Sequence, residues 1–244
     1  MQLEDVVSNG ERVFLDVLFR DVFVEDIQHI GEQFIRIVFS GESLSNFVSP
    51  NFDDHVKLVF DEINGETIMR NYTPRYFSHI TNRLTIDFEK HSGGVASNWA
   101  CNTKLGDSLI VAGPRSSITT DNSYAHQILI GDNTALPAIA RRIEESASIV
   151  KTHVYLLNGS TEYLNKHLTA KVDVFNFDSV HKLVIALQAQ QTMMRDGLVW
   201  VAGEGSMIKI VRKCIKQSAQ FNKYDQRFSV YWQKGEVAAH QELS

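Results

Sequence analysis

The apolar residues of this 244-residue chain change their period once, between about residues 115 and 124, and that change limits the folds open to it. Before it, short runs alternate apolar and polar with period two, the mark of half-buried strands. Asp21–His29 and Gln33–Phe39 read as strands joined by a turn around Gly31, followed by His55–Phe60, Thr67–Phe77 and Arg83–Phe88. Asn64-Gly65 marks a hairpin turn between two of them. Asp107–Ala112 is a further strand and stops at Gly113-Pro114, and the one helix expected in this half is short, about Val95 to Cys101. Met1 to Phe19 is ambiguous between helix and strand. Regular short strands of this kind predict a sandwich or barrel.

After the change, strands alternate with stretches of helical period. His126–Ile130, Val150–Leu157, Val172–Phe177, Leu198–Ala202 and Arg227–Trp232 read as strands. Helical faces run through Leu136, Ile139, Ala140 and Ile143, through Val180, Leu183, Val184 and Leu187, and through Met207, Val211, Cys214 and Ile215. Asp132, Asn133 or Thr134 can cap the first of these helices, with Pro137 tolerated in its first turn, and Asp178 can cap the second. Strands alternating with helices predict a doubly wound parallel sheet. The chain therefore divides into an N-terminal antiparallel β-barrel domain, residues 1–118, and a C-terminal α/β domain, residues 124–244.

Bulk properties remove several function classes. A net charge of -5 argues against general nucleic-acid binding, which needs a basic face. Cys101 and Cys214 have no metal-ligand or paired spacing, so neither a zinc nor an iron–sulfur site is readable, and both fit idle thiols of a reducing compartment. Met-Gln-Leu-Glu-Asp at the start shows neither a basic nor an apolar export region, and no apolar run is long enough to span a bilayer. The expected location is the cytoplasm.

Two features point to ligands. Arg70-Asn-Tyr-Thr-Pro-Arg-Tyr-Phe77 sets two guanidinium groups, two phenols and a hydroxyl in eight residues. Arginines so placed can clamp a diphosphate, and a tyrosine between them offers a flat face to an aromatic ring, although a strand with solvated arginines has the same pattern. In the second half, Gln127–Ile130, His153–Leu157 and Val199–Ala202 each end on a glycine-containing turn. The carboxyl ends of such strands share one edge of an open sheet, where ligands bind, and helix N-termini after the first and last turns can offer amides to an anion. A barrel with the arginine-rich strand followed by a nucleotide-type domain suggests a flavin on the first and a nicotinamide on the second. No Gly-x-Gly-x-x-Gly fingerprint is present, so a nicotinamide domain here would have to be of the other, ferredoxin-reductase type.

Six motifs, in order, carry a resemblance: Arg70-Asn-Tyr-Thr-Pro-Arg75, Asp87-Phe-Glu-Lys-His-Ser-Gly-Gly-Val-Ala-Ser-Asn-Trp-Ala100, Val111-Ala-Gly-Pro-Arg115, Gly131-Asp-Asn-Thr-Ala-Leu-Pro-Ala138, Trp200-Val-Ala-Gly-Glu204 and Tyr231-Trp-Gln-Lys-Gly235. Together they resemble the siderophore-interacting protein family, flavin-dependent ferric-siderophore reductases of the ferredoxin–NADP reductase superfamily. The resemblance implies FAD held by Arg70 and Arg75, with Tyr72 against the flavin or its ribityl chain and Thr73 at the ring edge. Asp87, Phe88, His91, Gly94, Val95, Ala96 and Ser97 complete the implied cradle. Asp132, Thr134, Ala135, Gly203 and Glu204 fall at the implied nicotinamide end. Val95 stands where the family more often has proline, which preserves an amide, and Asn133 replaces a usual acidic residue.

The chemistry implied is consistent with a chain that offers no paired carboxylates or nucleophile. Nicotinamide gives up a hydride, Fe(III) takes one electron at a time, and a flavin can serve both. The protein contributes binding and placement, no catalytic side chain and no metal site. Anionic ferric siderophores call for cations, and Lys57, Arg115 and Lys234 lie beside recognisable motifs, while scattered surface charge explains each singly as well. Trp232 or Tyr231 can shield the flavin or pack in the sheet. NADH and NADPH stay undistinguished, with Lys166, Lys171, Lys209, Arg212 and Lys213 as candidates for a 2′-phosphate, and ferredoxin remains a possible donor. A general flavin or ferredoxin-type electron-transfer reductase and a non-catalytic ferric-chelate binding protein are the alternatives.

Overall fold

A computed structural model describes residues 11–63, 66–120, 124–165, 171–189, 197–221, 224–235 and 241–242. The Asn64-Gly65 turn, Lys166 and the first ten residues lie outside them. The chain separates into two compact units, one of Glu11–Thr119 and one containing Thr120–Ser244.

The first unit is built on a seven-stranded antiparallel sheet: β2 (Phe19–Ile30), β3 (Phe34–Ser40), β4 (Val56–Ile63), β5 (Glu66–Tyr72), β6 (Tyr76–Ser78), β7 (Arg83–Glu89) and β8 (Ser108–Ala112). Their order is β5-β4-β8-β2-β3-β7-β6. The edge strands β5 and β6 are consecutive in sequence, joined by Thr73-Pro74-Arg75. A flat sheet of this width would hold its edges about 29 Å apart, whereas a three-residue link reaches about 15 Å at most. The sheet must therefore curl into a barrel, although no ladder pairs β5 with β6 among the described residues. The predicted continuous strand Thr67–Phe77 is corrected accordingly. Pro74 has no N–H for a ladder, and the Arg75 amide turns to donate to Thr85 O at 2.9 Å.

Alternation fills the barrel. Along β2, Phe19, Asp21 and Phe23 are exposed while Arg20, Val22 and Val24 are buried. Ile35, Ile37, Phe39, Leu58, Leu84, Ile86 and Phe88 join Val22 and Val24 in one core. The short helix is α1 (Val95–Asn102), and it is pinned by Trp99, whose ring lies 6.2 Å from Phe39 and 5.9 Å from both Phe60 and Phe88. A two-stranded ribbon of β1 (Arg12–Phe14) and β9 (Ser116–Ile118) resolves part of the ambiguous N-terminal stretch.

The second unit has five parallel strands in the order β12-β11-β10-β13-β14: β10 (His126–Gly131), β11 (Lys151–Leu157), β12 (Val172–Phe177), β13 (Gly197–Glu204) and β14 (Tyr224–Trp232). A two-residue strand, β15 (Gln241–Glu242), lies antiparallel on β14. Helices α2 (Leu136–Glu145), α3 (Thr161–Leu164), α4 (Val180–Ala189) and α5 (Gly205–Gln217) follow the strands. β10 and β13 are neighbours, and the chain winds away from them in both directions, so the topological switch lies between their carboxyl ends. The cap of α4 is also corrected. Ser179 Oγ accepts from the Lys182 amide at 3.4 Å, and Asp178 instead pairs with Lys182 Nζ at 2.7 Å. Among the described residues no helix is long and apolar enough to cross a membrane, and no group of His, Cys, Asp or Glu could hold a metal ion.

Candidate functional site

In the first unit the predicted residues gather around the Thr73-Pro74-Arg75 corner. Arg75 is 3% exposed, and its Nε lies 3.8 Å from Asp87 Oδ2. Asp87, with its side chain fully buried, is gripped by Arg36: Nε to Oδ1 at 2.7 Å and Nη2 to Oδ2 at 2.7 Å. The carboxylate thus compensates two guanidinium groups and is turned to the protein, where removing one partner of such a buried pair costs about 3–5 kcal/mol. The sequence reading missed Arg36, which reaches Asp87 because β3 and β7 pair with these two residues directly opposed.

The register also sorts the other candidates by face. Leu58 lies opposite Arg70 and Val56 opposite Tyr72, so these two share the face of the buried Leu58 and Val56. Arg70 is half-buried, donating to Met69 O at 2.9 Å. Tyr72 packs on Phe88 with ring centroids 4.6 Å apart, and burial pushes its hydroxyl well above the usual phenol range, with Glu89 adding to the shift and Arg70 opposing it. Thr73 is buried. Lys57 is exposed on the opposite face, directly across from Ala112 and so beside the turn that carries the exposed Arg115.

Beyond β7 the loop from His91 leads into α1. The His91 amide donates to Ser97 Oγ at 2.8 Å. Gly94 is the N-cap residue in extended conformation, with the ring of the exposed His91 lying close over its Cα. No side chain caps α1 and its first turn carries no acidic residue, which leaves first-turn amides for an external anion. A helix start without a side-chain cap fits an anion such as a diphosphate, and the same unit carries the nearly buried Arg75.

The second unit differs in sign. The helix starts after β10 and β13 were expected to offer amides to an anion; Glu204 caps α5, while Asp132 caps a 3-10 turn, Asn133–Ala135, that leads into α2, whose own N-cap residue Ala135 makes no side-chain cap. Asp132 Oδ1 accepts from the Thr134 amide at 2.9 Å and the Thr134 hydroxyl at 2.5 Å, while Oδ2 accepts from the Glu204 amide and from Trp232 Nε1, each at 2.9 Å. Glu204 Oε2 accepts from the amides of Ser206 and Met207 at 2.8 and 3.0 Å and from the Ser206 hydroxyl. Its Oε1 accepts from Gln233 Nε2 at 3.3 Å and the Lys234 amide at 3.4 Å. Burial raises the Asp132 carboxyl above the ordinary range against the pull of its donors. Burial would raise Glu204 too, but the Ser206 hydroxyl and the amides of Met207, Lys234 and Ser206 outweigh it and hold the group low. Gly203, at φ +135, is needed because a Cβ would meet the Asp132 carboxylate at 2.6–2.9 Å.

Other candidates separate cleanly. Ala135 is fully buried with its amide donating to Asp132 O, so it presents no side chain to a ligand. Tyr231 packs edge-on against Trp200 at 6.3 Å, whereas Trp232 is 41% exposed at the sheet edge, next to the exposed Lys234. Lys171 sits at the amino end of β12, away from the carboxyl edge where ligands bind. Lys209 and Lys213 are exposed on α5, and Arg212 lies over Phe228 at 5.7 Å. A cavity of about 330 Å³ that the sequence reading missed opens at the carboxyl ends of β11 and β12, lined by Asn158, Asn176, Phe177, Asp178 and Lys182.

A curled antiparallel sheet with a helix start that no side chain caps, followed in the chain by a five-stranded parallel sheet, is a fold of the ferredoxin-reductase class. A family model described as the siderophore-interacting FAD-binding domain matches residues 23–68 and 61–118, and one described as siderophore-interacting protein matches 124–235. The chain is 33% identical over 245 residues to an NADPH-dependent ferric-chelate reductase of Escherichia coli, covering 91% of this chain and 96% of that one. It superposes on a siderophore utilization protein from T. fusca with a TM-score of 0.83 at 27% identity, covering 94% and 98% of the two chains. A ferredoxin NADP+ reductase from Neisseria gonorrhoeae, at 12% identity and a TM-score of 0.64 over 88% of this chain and 99% of that one, shares the fold. The chain belongs to the siderophore-interacting protein family.

Proposed function

We propose that the protein is a flavin-dependent reductase that passes electrons from a nicotinamide nucleotide through FAD to a ferric siderophore, releasing Fe(II). The observation that carries this reading is that the match to the FAD-binding domain spans the Arg75 corner and the open start of α1. Arg75, with Arg70, and the amides of Val95, Ala96 and Ser97 hold the diphosphate. Tyr72 and Thr73 meet the ring. When bound, FAD supplies the exchange between a two-electron hydride donor and one-electron delivery to iron. The side chains bind, orient and exclude water, and none is asked to move a proton.

Lys57 and Arg115 gather the anionic chelate on the barrel, and Trp232 and Lys234 present an aromatic face and a cation at the sheet edge. The NADPH dependence of the Escherichia coli relative supports NADPH as donor. Two free cysteines suit a reducing cytoplasm. The test is anaerobic: purified protein is mixed with NADPH, NADH or reduced ferredoxin, a ferric tricatecholate and a ferrous trap. Trapped Fe(II) with a nicotinamide donor is the expected result. Reduced flavin without trapped Fe(II) from any chelate would assign a general electron-transfer reductase, and a colourless protein that takes up no FAD would assign a binding module.

A further inference from the structure

Arg20 takes part in none of the roles above, yet it is a cation inside the barrel. The inward positions of β2 run Arg20, Val22, Val24, and Arg20 is 4% exposed. It lies across from Val111, which is across from Leu58, so the row of inward side chains ends at Arg70. Its Nη1 donates to Gly113 O at 2.9 Å and Leu18 O at 3.2 Å, and Nη2 donates to Asn46 Oδ1 at 3.3 Å. The guanidinium carbon sits 5.4 Å from the centre of the Phe47 ring. No carboxylate pairs with Arg20 among the described residues, and its buried Nε has no hydrogen-bond partner.

Burying a cation without a counterion is unfavourable, and burial holds the Arg20 pKa below its ordinary value. An apolar side chain would fill the same interior at lower free energy, so packing alone does not account for an arginine. What the charge secures is the carbonyl of Gly113. Leu18 O ties the same turn, since it accepts both Arg20 Nη1 and the Gly113 amide, the latter at 3.2 Å. The held turn, Gly113-Pro114-Arg115, carries Arg115 and adjoins Lys57 through the Lys57–Ala112 pairing.

We propose that Arg20 is a positioning residue for the anionic chelate, holding the Gly113-Pro114-Arg115 turn so that Arg115 and Lys57 form one cationic patch. The substrate part rests on the reductase reading, and the hold on the turn does not. The variants are Arg20→Met, Arg20→Lys, Arg115→Gln and the Arg20→Met/Arg115→Gln double, each loaded with FAD and checked for occupancy. Trypsin cleavage after Arg115, followed by mass spectrometry in Arg115-containing variants, reads the turn directly. Losing hydrogen bonds to a charged group predicts cleavage about tenfold faster in Arg20→Met, with Arg20→Lys intermediate. KM for a ferric tricatecholate rises about three- to tenfold in Arg20→Met with kcat nearly unchanged, and Arg20→Met adds nothing in the Arg115→Gln background. If Arg20→Met does not fold, the same two shifts are read in Arg20→Lys. Unchanged cleavage overturns the hold on the turn. A KM effect that persists in the Arg115→Gln background overturns the route through Arg115. Wild-type KM in Arg115→Gln overturns the substrate role of the turn itself, whatever the cleavage shows.

Discussion

Replacing Arg75 by alanine separates a cofactor clamp from a structural ion pair. Arg75 is nearly buried, so its loss has a packing consequence as well as an electrostatic one. Yet Asp87 keeps both 2.7 Å bonds from Arg36, and the Arg75 approach of 3.8 Å is too long for a direct hydrogen bond. The buried carboxylate is therefore not stranded, and the fold loses about 1–3 kcal/mol, the range of an ordinary core truncation. FAD loses more. A charge-assisted hydrogen bond contributes about 1.5–3 kcal/mol, which predicts a Kd for FAD raised roughly 10- to 150-fold.

The assay is titration of apoprotein with FAD, followed by flavin fluorescence, with far-UV circular dichroism giving the thermal midpoint of the same sample. Asp87→Asn is the informative contrast. It leaves Arg36 and Arg75 without their shared anion, so the apoprotein is destabilised by about 3–5 kcal/mol. A diphosphate then replaces part of the missing charge, and FAD raises the thermal midpoint by more than it does in the unaltered protein. If Arg75→Ala binds FAD within about twofold of the unaltered Kd, the assignment of the clamp to this corner is refuted.

Three further outcomes are expected. Reversing Lys57 and Arg115 together to glutamate raises KM for an anionic ferric chelate about tenfold or more while FAD occupancy stays full, as steady-state kinetics with a ferrous trap will read. Gly203→Ala forces a Cβ toward the Asp132 carboxylate at a φ of +135, and a loss of about 2 kcal/mol or more should appear as a lowered thermal midpoint. Glu204 is held below its ordinary pKa, so its contribution to stability is complete above the usual glutamate range and disappears as pH falls through the lower folded value. Thermal midpoints across that acid window should fall more gently in Glu204→Gln than in the unaltered protein.

Much of the fold was legible because burial imposes a period on sequence. The alternation of Val22, Val24, Ile35, Ile37 and Phe39 and the helical spacing of Leu136, Ile139 and Ile143 follow directly from which side faces a core. Register is another matter. Nothing local in the sequence pairs Arg36 with Asp87, which are fifty-one residues apart and meet only because β3 and β7 align them. The corner at Thr73-Pro74-Arg75 was hidden because apolar and polar residues keep alternating through it, and proline alone marked the break. Arg20 was hidden by a boundary: a strand begun at Asp21 leaves out Arg20, the inward cation of β2. The Asp132 cap was legible from Gly131-Asp132-Asn133-Thr134. Glutamate is an uncommon N-cap, so Glu204 gave no comparable signal.

The two units treat anions differently, and the difference suits a cofactor that stays and a donor that leaves. In the barrel unit, α1 begins without a side-chain cap, and Arg75 faces Asp87, a carboxylate that also pairs with Arg36. First-turn amides there are not taken up by a side-chain cap. In the α/β unit, the 3-10 turn before α2 and the start of α5 already hold the carboxylates of Asp132 and Glu204, so an incoming phosphate meets acidic side chains there. On the proposed function, the surfaces left to that edge are the exposed Trp232 face and the cavity lined by Asn158, Asn176 and Lys182. A nicotinamide nucleotide that must be exchanged on every turnover is served by such a surface, because release is slowed by whatever binding exceeds the need of the transfer itself. The same carboxylates accept from Trp232 Nε1 at Asp132 Oδ2 and from the Lys234 amide at Glu204 Oε1, so they also fix the aromatic face and the cation that the proposed function assigns to the donor's edge.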